Sequence, residues 1–385
     1  MIPYGRQSIS EEDIEAVVAV LKSDFLTQGP MVPRFEQAVA GMVGAQHGVA
    51  VNSATSALHI ACLALGVGPG DLVWTTPNTF VASANCARYC GASVDFVDID
   101  AHSWNMSIPA LQAKLVQAEA KGNLPKVLIP VHFSGQPCDM AAIGALARQY
   151  GFKVIEDASH AIGATYRDTK IGDCRHSDVV VFSFHPVKII TTGEGGMAMT
   201  NDGELAWRMA ALRSHGITRE PSRLQAENPA PWYYEQQMLG YNYRMIDIEA
   251  ALGLSQLERL DAFVARRNDL AQRYDRLLAN FALILPTVDQ ECRSSFHLYV
   301  VRLPRCDPAR HRQVFEALRA GGIGVNLHYM PVHLQPDFRP LGFAPGMFSE
   351  AEAYGESAIT LPLYPAMTED DQDRVVDALD HALRL

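Results

Sequence analysis

The strongest constraint in this 385-residue sequence is a rhythm that sets in at residue 48. Short runs rich in β-branched side chains recur at 48–51 (GVAV), 72–75 (LVWT), 94–97 (VDFV), 127–131 (VLIPV), 153–156 (KVIE), 179–184 (VVVFSF) and 197–200 (MAMT). Most are separated by roughly 15–30 residues, enough for a helix that returns the chain to the same edge of a sheet. The pattern predicts an α/β fold with a mostly parallel seven-stranded sheet covered on both faces. The final connection, 185–196, is short and Gly-rich, which suits a turn better than a helix. The seventh strand is therefore predicted to run antiparallel.

Other elements frame this sheet. Nine residues read as an extended arm, and Ser10 then caps a helix whose first turn carries Glu11, Glu12 and Asp13. Gly29-Pro30 breaks the chain before a helical pattern from Phe35 to Val43, and 204–214 is helical again. The segment 221–245 is rich in Pro, Trp and Tyr and long for a loop, which points to function. One long amphipathic helix is predicted over 246–279. Beyond it come a strand (298–303), a helix (308–320), a strand (323–327), a Pro-rich loop (331–346) and a last helix (369–383). The predicted division is residues 1–245, an arm and a large domain, and residues 246–385, a linking helix and a smaller α+β domain.

Composition removes whole classes of function. Apolar residues at 48% can offset the entropy of ordering, so the chain is not disordered. Lys and Arg number 32 against 43 Asp and Glu, a net charge of −11 with no basic cluster, which disfavours nucleic acid as a partner. No run of 18 apolar residues spans a membrane, and the first six residues lack a signal-peptide core, so a cytoplasmic location is expected. Seven scattered cysteines include no CxxC pair; they read as small buried residues, with no metal and no disulfide.

Ligands of parallel α/β sheets bind where strands end, so the residues after each run carry the chemistry. After 48–51 comes Asn52-Ser53-Ala54-Thr55-Ser56, leading straight into a helix. This is either a plain Ser cap or an anion site made of free N–H groups at a helix N-terminus. After 153–156 comes Asp157, followed by Ala158-Ser159-His160-Ala161. A carboxylate there either caps the next turn or meets a cation. After 179–184 come His185-Pro186-Val187-Lys188 and then Gly193-Glu194-Gly195-Gly196. Lys188 is either a solvated surface amine or a desolvated nucleophile. A nicotinamide site does not compete, because Gly66-Val67-Gly68-Pro69-Gly70 follows a helix instead of opening one. Ser183 and Lys188 are also wrongly spaced for the SxxK of a serine hydrolase. Together, a phosphate cradle, an acid and a lysine on one sheet edge are what pyridoxal 5′-phosphate requires: a seat for its phosphate, a carboxylate for its ring nitrogen and an amine for its aldehyde.

The chain resembles the DegT/DnrJ/EryC1/StrS family, fold-type I pyridoxal-phosphate aminotransferases that act on nucleotide-linked keto-sugars. The resemblance covers nearly the whole chain. It rests on Ser53-Ala54-Thr55, Thr79-Phe80-Val81-Ala82, Glu156-Asp157-Ala158-Ser159-His160-Ala161, Ser183-Phe184-His185 through Lys188, Gly193-Glu194-Gly195-Gly196 and Gly240-Tyr241-Asn242-Tyr243-Arg244-Met245. It implies that Lys188 carries the internal aldimine, Asp157 pairs with the pyridine nitrogen, and His160 approaches the ring oxygen or the donor's carboxylate. It further implies that Phe80 stacks on the ring and that Ala54, Thr55 and Ser183 hold the phosphate. Asn242 would reach the phosphate in a neighbouring subunit, which makes the protein a homodimer with shared active sites.

A finer likeness lies in Tyr4, Leu26-Thr27-Gln28-Gly29, Ser214-His215-Gly216 and His328-Tyr329-Met330-Pro331. These are similar to the subgroup of the family that serves pseudaminic-acid biosynthesis. That subgroup moves the amino group of L-glutamate, leaving 2-oxoglutarate, to carbon 4 of a UDP-4-keto-6-deoxy-N-acetylhexosamine. By this likeness Tyr4, Leu26, Thr27, Gln28, Gly29, Ser53, His185, His328 and Tyr329 are expected to line the sugar-nucleotide site. His185, His328 and Tyr329 read equally well as structural residues, and Trp232, Tyr233 and Tyr234 as either interface packing or sugar contacts. Members of the family that dehydrate their substrate replace the lysine, which Lys188 argues against. The remaining alternatives are another nucleotide-linked keto-sugar, of the perosamine or 4-amino-arabinose type, and a cofactor-binding regulator without turnover.

Overall fold

The computed structural model describes residues 1–304 and 307–385. The seven runs form one sheet: β1 (His47–Val51), β2 (Leu72–Thr75), β3 (Ser93–Phe96), β4 (Val127–Leu128), β5 (Lys153–Asp157), β6 (Val179–Ser183) and β7 (Gly196–Thr200). Their spatial order is β1-β7-β6-β5-β4-β2-β3. β3, β2, β4, β5 and β6 are parallel neighbours, and β7 alone is reversed, antiparallel to both β6 and β1. The short connection before the seventh strand thus has the predicted consequence. It also sets Gly196 opposite Ser183 on one side and Val51 on the other, at the carboxyl ends of β6 and β1.

Strand alternation builds two cores. Val179 and Val181 of β6 face one, while Val180 and Phe182 face the other, all fully buried. One layer holds α3 (Ala54–Ala64) and α4 (Ala82–Tyr89). The other holds α2 (Met31–Val43), α5 (Ile108–Lys121) and α6 (Met140–Tyr150). The helix after β7, α7 (Gly203–Leu212), joins the first layer. A third core gathers Ile2 with α9 (Leu260–Leu278), α10 (Pro308–Ala320), α12 (Glu369–Arg384) and the antiparallel pair β8 (Tyr299–Arg302) and β9 (Ala358–Leu361).

The N-terminal helix α1 (Glu11–Leu21) has the predicted start: Ser10 and Asp13 form a reciprocal capping box. Asp13 also accepts hydrogen bonds from Ser255 Oγ and Gln256 Nε2, each at 2.6 Å, and pairs with Arg259. That knot explains a departure from expectation. The segment 246–279 is two helices, α8 (Asp247–Leu257) and α9, broken where Arg259 leaves helical geometry (φ −102°, ψ 3°) while bonded to Asp13.

Three further expectations fail. The crossover between β5 and β6 contains no helix; it folds into a small hairpin, Thr165–Tyr166 with Thr169–Lys170, joined by Cys292–Arg293. The fourth run is a continuous strand only to Leu128, because Pro130 has no N–H for the ladder; pairing resumes as a single bridge of Val131 to Asp157. The expected strand 323–327 reduces to single bridges, Ile323 to Ile2 and Asn326 to Thr360, the first being the seat of the N-terminal arm. Helix α11 (Ser349–Gly355) and β9 were not foreseen. Five cysteines are buried and Cys292 is half-buried, all six free thiols; Cys306 lies outside the described residues.

Candidate active site

The site grows from the carboxyl ends of β5 and β6. Asp157 closes β5 and is only 5% exposed. Its Oδ2 accepts a 2.6 Å hydrogen bond from Ser83 Oγ, and its Oδ1 accepts the Ser159 N–H at 3.1 Å. An ionised carboxylate only accepts, so the Ser83 hydroxyl must donate to it, and Thr79 in turn donates to Ser83 at 2.7 Å. These are charge-assisted bonds that fix the carboxylate in place. Ser83 and Thr79 are the reason the Thr79–Ala82 segment matters beyond Phe80; the sequence offered no sign of the Ser83 contact.

Beyond β6 the chain makes a tight turn, with Pro186 in its first corner and the Lys188 N–H closing onto the His185 carbonyl at 2.9 Å. The turn carries Lys188 inward. Its amine makes no hydrogen bond or ion pair among the described residues. Burial pulls its pKa down to about 8, against the opposing pull of the Asp157 charge. Lys188 is thus an available, partly neutral amine at ordinary pH.

Histidines and a tyrosine complete the wall. His160 is 5% exposed, and its Nδ1 accepts the Ser134 N–H at 3.2 Å. Its Nε2 therefore carries the proton, and it lies 3.1 Å from Tyr329 Oη. Burial, reinforced by the Lys188 charge, holds His160 well below its usual pKa. His328 bonds Thr360 Oγ1 through Nδ1 at 2.9 Å, and burial with the Lys188 charge brings it down to about 3. The Tyr4 ring sits 5.2 Å from that of His328. The structure therefore brings Lys188, Asp157, His160, His328, Tyr329 and Tyr4 together. It adds His297, whose ring centre is 4.5 Å from that of His160. His297 is not among the residues expected from the sequence, since a lone histidine before a strand carries no pattern.

A second wall lies at β1. Ser53 caps α3 by accepting the Ser56 N–H at 3.1 Å. Helix geometry leaves the N–H groups of Ala54 and Thr55 without an internal acceptor. Gly196 packs directly on this turn, where a Cβ would overlap Ala54 N and the Ser53 carbonyl. Ser183 faces Gly196 across the ladder. Phe80 is 57% exposed although its neighbours Thr79 and Ala82 are buried, and its ring lies 6.1 Å from that of Tyr329.

These residues fit pyridoxal 5′-phosphate. An oriented carboxylate, an unpaired amine, open helix N–H groups with no room for a side chain beside them, and a bare aromatic face match its ring nitrogen, aldehyde, phosphate and ring.

Other expected residues stand apart. His185 is exposed and only loosely faces Glu194, at 3.9 Å. Among the described residues, no hydrogen bond or ring contact links Leu26–Gly29 to the lysine. Instead Thr27 bridges Ile246, and Gly29 N–H bonds Asp247 Oδ2 at 2.5 Å. Gln28 and Gly29 line a crevice with Arg213, Ser214 and Arg244. Asn242 lies beside it, bridged to Ser214 and exposed. Trp232 and Leu239 are 80% and 78% exposed nearby in sequence.

Comparison with known proteins bears on this geometry. The sequence model of the DegT/DnrJ/EryC1/StrS aminotransferase family matches residues 7–380. The spore coat polysaccharide biosynthesis protein SpsC of Bacillus subtilis is 39% identical over 382 residues, covering 98% of this chain and 96% of its own. The GDP-perosamine synthase of Caulobacter vibrioides is 40% identical over 357 residues, covering 92% and 91%. In structure, PseC of Helicobacter pylori, an aminotransferase involved in pseudaminic-acid biosynthesis, superposes with a TM-score of 0.91 at 29% identity, covering 100% and 99%. Solved relatives include forms carrying pyridoxal phosphate and pyridoxamine phosphate. The chain belongs to the DegT/DnrJ/EryC1/StrS family and is a pyridoxal-phosphate-dependent sugar aminotransferase.

Proposed function

We propose that the protein moves the amino group of L-glutamate to carbon 4 of a UDP-4-keto-6-deoxy-N-acetylhexosamine. The products are 2-oxoglutarate and a UDP-4-amino-4,6-dideoxy sugar for pseudaminic acid or a related surface glycan. The observation that carries the aminotransfer chemistry is Lys188: a desolvated amine without a hydrogen-bond or ion-pair partner among the described residues, near a fixed carboxylate.

Bound there, pyridoxal phosphate supplies an electron sink for a carbanion at the carbon that bears the amino group. Asp157, held by Ser83 and Ser159, pairs with the ring nitrogen and keeps it protonated. The N–H groups of Ala54 and Thr55, with Ser183, hold the phosphate, and Phe80 covers the ring. Lys188 Nζ takes the proton from the donor's α-carbon and, in the second half of the cycle, delivers one to the sugar carbon that receives nitrogen. His160 keeps a single donor, Nε2–H, turned to the side of Tyr329.

The sugar specificity draws on Tyr4, His328 and Tyr329 around Lys188 and on the likeness to PseC. Leu26, Thr27, Gln28 and Asn242, all exposed, with half-buried Gly29 beside them, support a homodimer in which this region reaches the partner's site. No helix among the described residues is long and apolar enough to cross a membrane, and we place the reaction in the cytoplasm. The 40% identity to a GDP-perosamine synthase favours a second reading, a GDP-linked keto-sugar. Incubation with L-glutamate and a panel of UDP-, dTDP- and GDP-4-keto-sugars separates the two. The proposal expects 2-oxoglutarate release with the UDP-N-acetyl substrate above all others. Faster release with GDP-4-keto-6-deoxymannose contradicts it, and release with none of them favours a regulator without turnover.

A further inference from the structure

His297 stands just before β8 and only 5% of it is exposed. Its Nδ1 is sealed from solvent and has no hydrogen-bond partner. Among the described residues its Nε2 has no partner either, but that nitrogen is not sealed from solvent. A buried donor without an acceptor is rarer in proteins than a buried acceptor without a donor. The proton therefore sits on Nε2, which presents one N–H. The ring stacks obliquely on His160, and Lys188, His160 and His328 are near enough to add to burial in keeping it neutral.

Near it lies an uncompensated charge. Arg267 is 1% exposed and has no carboxylate partner among the described residues. Its Nη1 donates to the carbonyls of Phe296, His297 and Leu363 at 3.2, 3.3 and 3.0 Å. This pins the backbone of His297 and leaves a buried positive charge close enough to act on its ring. An unfilled N–H donor near a buried guanidinium and Lys188 is complementary to a carboxylate. In a chain of net charge −11 such a spot is the exception.

We propose that His297 is a substrate-binding residue whose Nε2–H receives a carboxylate of the amino-acid donor, with Arg267 as the positioning residue behind it. The proposal rests on the aminotransferase reading above and assigns the donor, not the sugar, to this side of the wall. His160 faces Tyr329 with its own donor, so the two histidines divide the work.

The test uses holoenzyme carrying His297→Phe, which keeps the ring against His160 and removes the N–H, and His297→Gln, which restores a donor. The expected result for His297→Phe is a KM for L-glutamate raised about tenfold or more, with the KM for the keto-sugar within about twofold of wild type. The cofactor absorbance band stays unchanged, and His297→Gln recovers most of the loss. Calorimetric binding of glutarate, a dicarboxylate that cannot react, weakens in His297→Phe by a similar factor. Glutamate KM and glutarate affinity both unchanged in His297→Phe would overturn the proposal, as would an equal rise in the keto-sugar KM. Glutarate binding needs no turnover, so it decides on His297 even where the sugar panel shows the aminotransfer reading to be wrong.

Discussion

The wall around Lys188 and the surface around Asn242 are built on opposite principles. At the lysine, three of the polar side chains are held in place: Asp157 by Ser83 and Ser159, His160 by Ser134, His328 by Thr360. Around Asn242 the expected substrate residues are open. Leu26, Thr27, Gln28 and Asn242 are exposed, and Trp232 and Leu239 are large apolar side chains left almost bare. A single chain thus pre-organises chemistry but leaves recognition unfinished. Large apolar side chains left bare beside the expected substrate residues suit a surface that a partner covers. The contrast supports the proposal that these two halves of one function belong to two subunits.

The first way to break that view is at the lysine. Lys188→Ala is expected to lose about 10²–10⁴-fold in turnover from its proton-moving role alone, and the covalent link to the cofactor with it. Wild-type rates in that variant would remove the chemical half of the comparison. A smaller effect is expected at Gly196. Gly196→Ala drives a methyl into the Ala54 N–H turn, an overpacking of about 1–3 kcal/mol that should appear as weaker cofactor binding in a titration of apoprotein. Normal affinity there would mean that the phosphate sits elsewhere.

The smallest expected effect is a pH shift. Burial lowers Lys188 to about 8 and the Asp157 charge holds it from falling further. Only the neutral amine attacks an aldehyde, so cofactor uptake by apoprotein should rise about tenfold per unit up to about pH 8 and then level off. Removing the Asp157 charge lets the amine deprotonate sooner. In Asp157→Asn the rise should therefore move to lower pH, even as the final affinity drops. A stopped-flow uptake profile identical in the two proteins would show that the two groups do not sense each other.

Much of the first half was legible in the sequence. Strand runs with alternating faces and a Gly-rich connection gave the sheet and its single reversed strand, and residues after the strands gave Asp157 and Lys188. What escaped notice was non-local. The break at Arg259 depends on Asp13, 246 residues away in sequence. β9 exists because it pairs with β8, whose partner residues lie 56 to 62 positions earlier, and nothing in Ala358–Leu361 alone announces it. Ser83 and His297 act through contacts with residues far along the chain, and a lone serine or histidine carries no periodic signal. The hairpin in place of a crossover helix has the same origin, since its third strand comes from Cys292–Arg293. Of the recognition half, the sequence supplied residue names by resemblance, and the chain by itself shows only that they are exposed.

The most direct test of the two-subunit account is complementation between Lys188→Ala and Asn242→Glu, the latter setting a carboxylate against the partner's phosphate site. Each variant alone should be inactive. When the two are unfolded together and refolded, random pairing makes about half of the dimers mixed, each with one intact site, and activity should return to about a quarter of wild type. A mixture no more active than its separate components would mean that each active site is built from one chain.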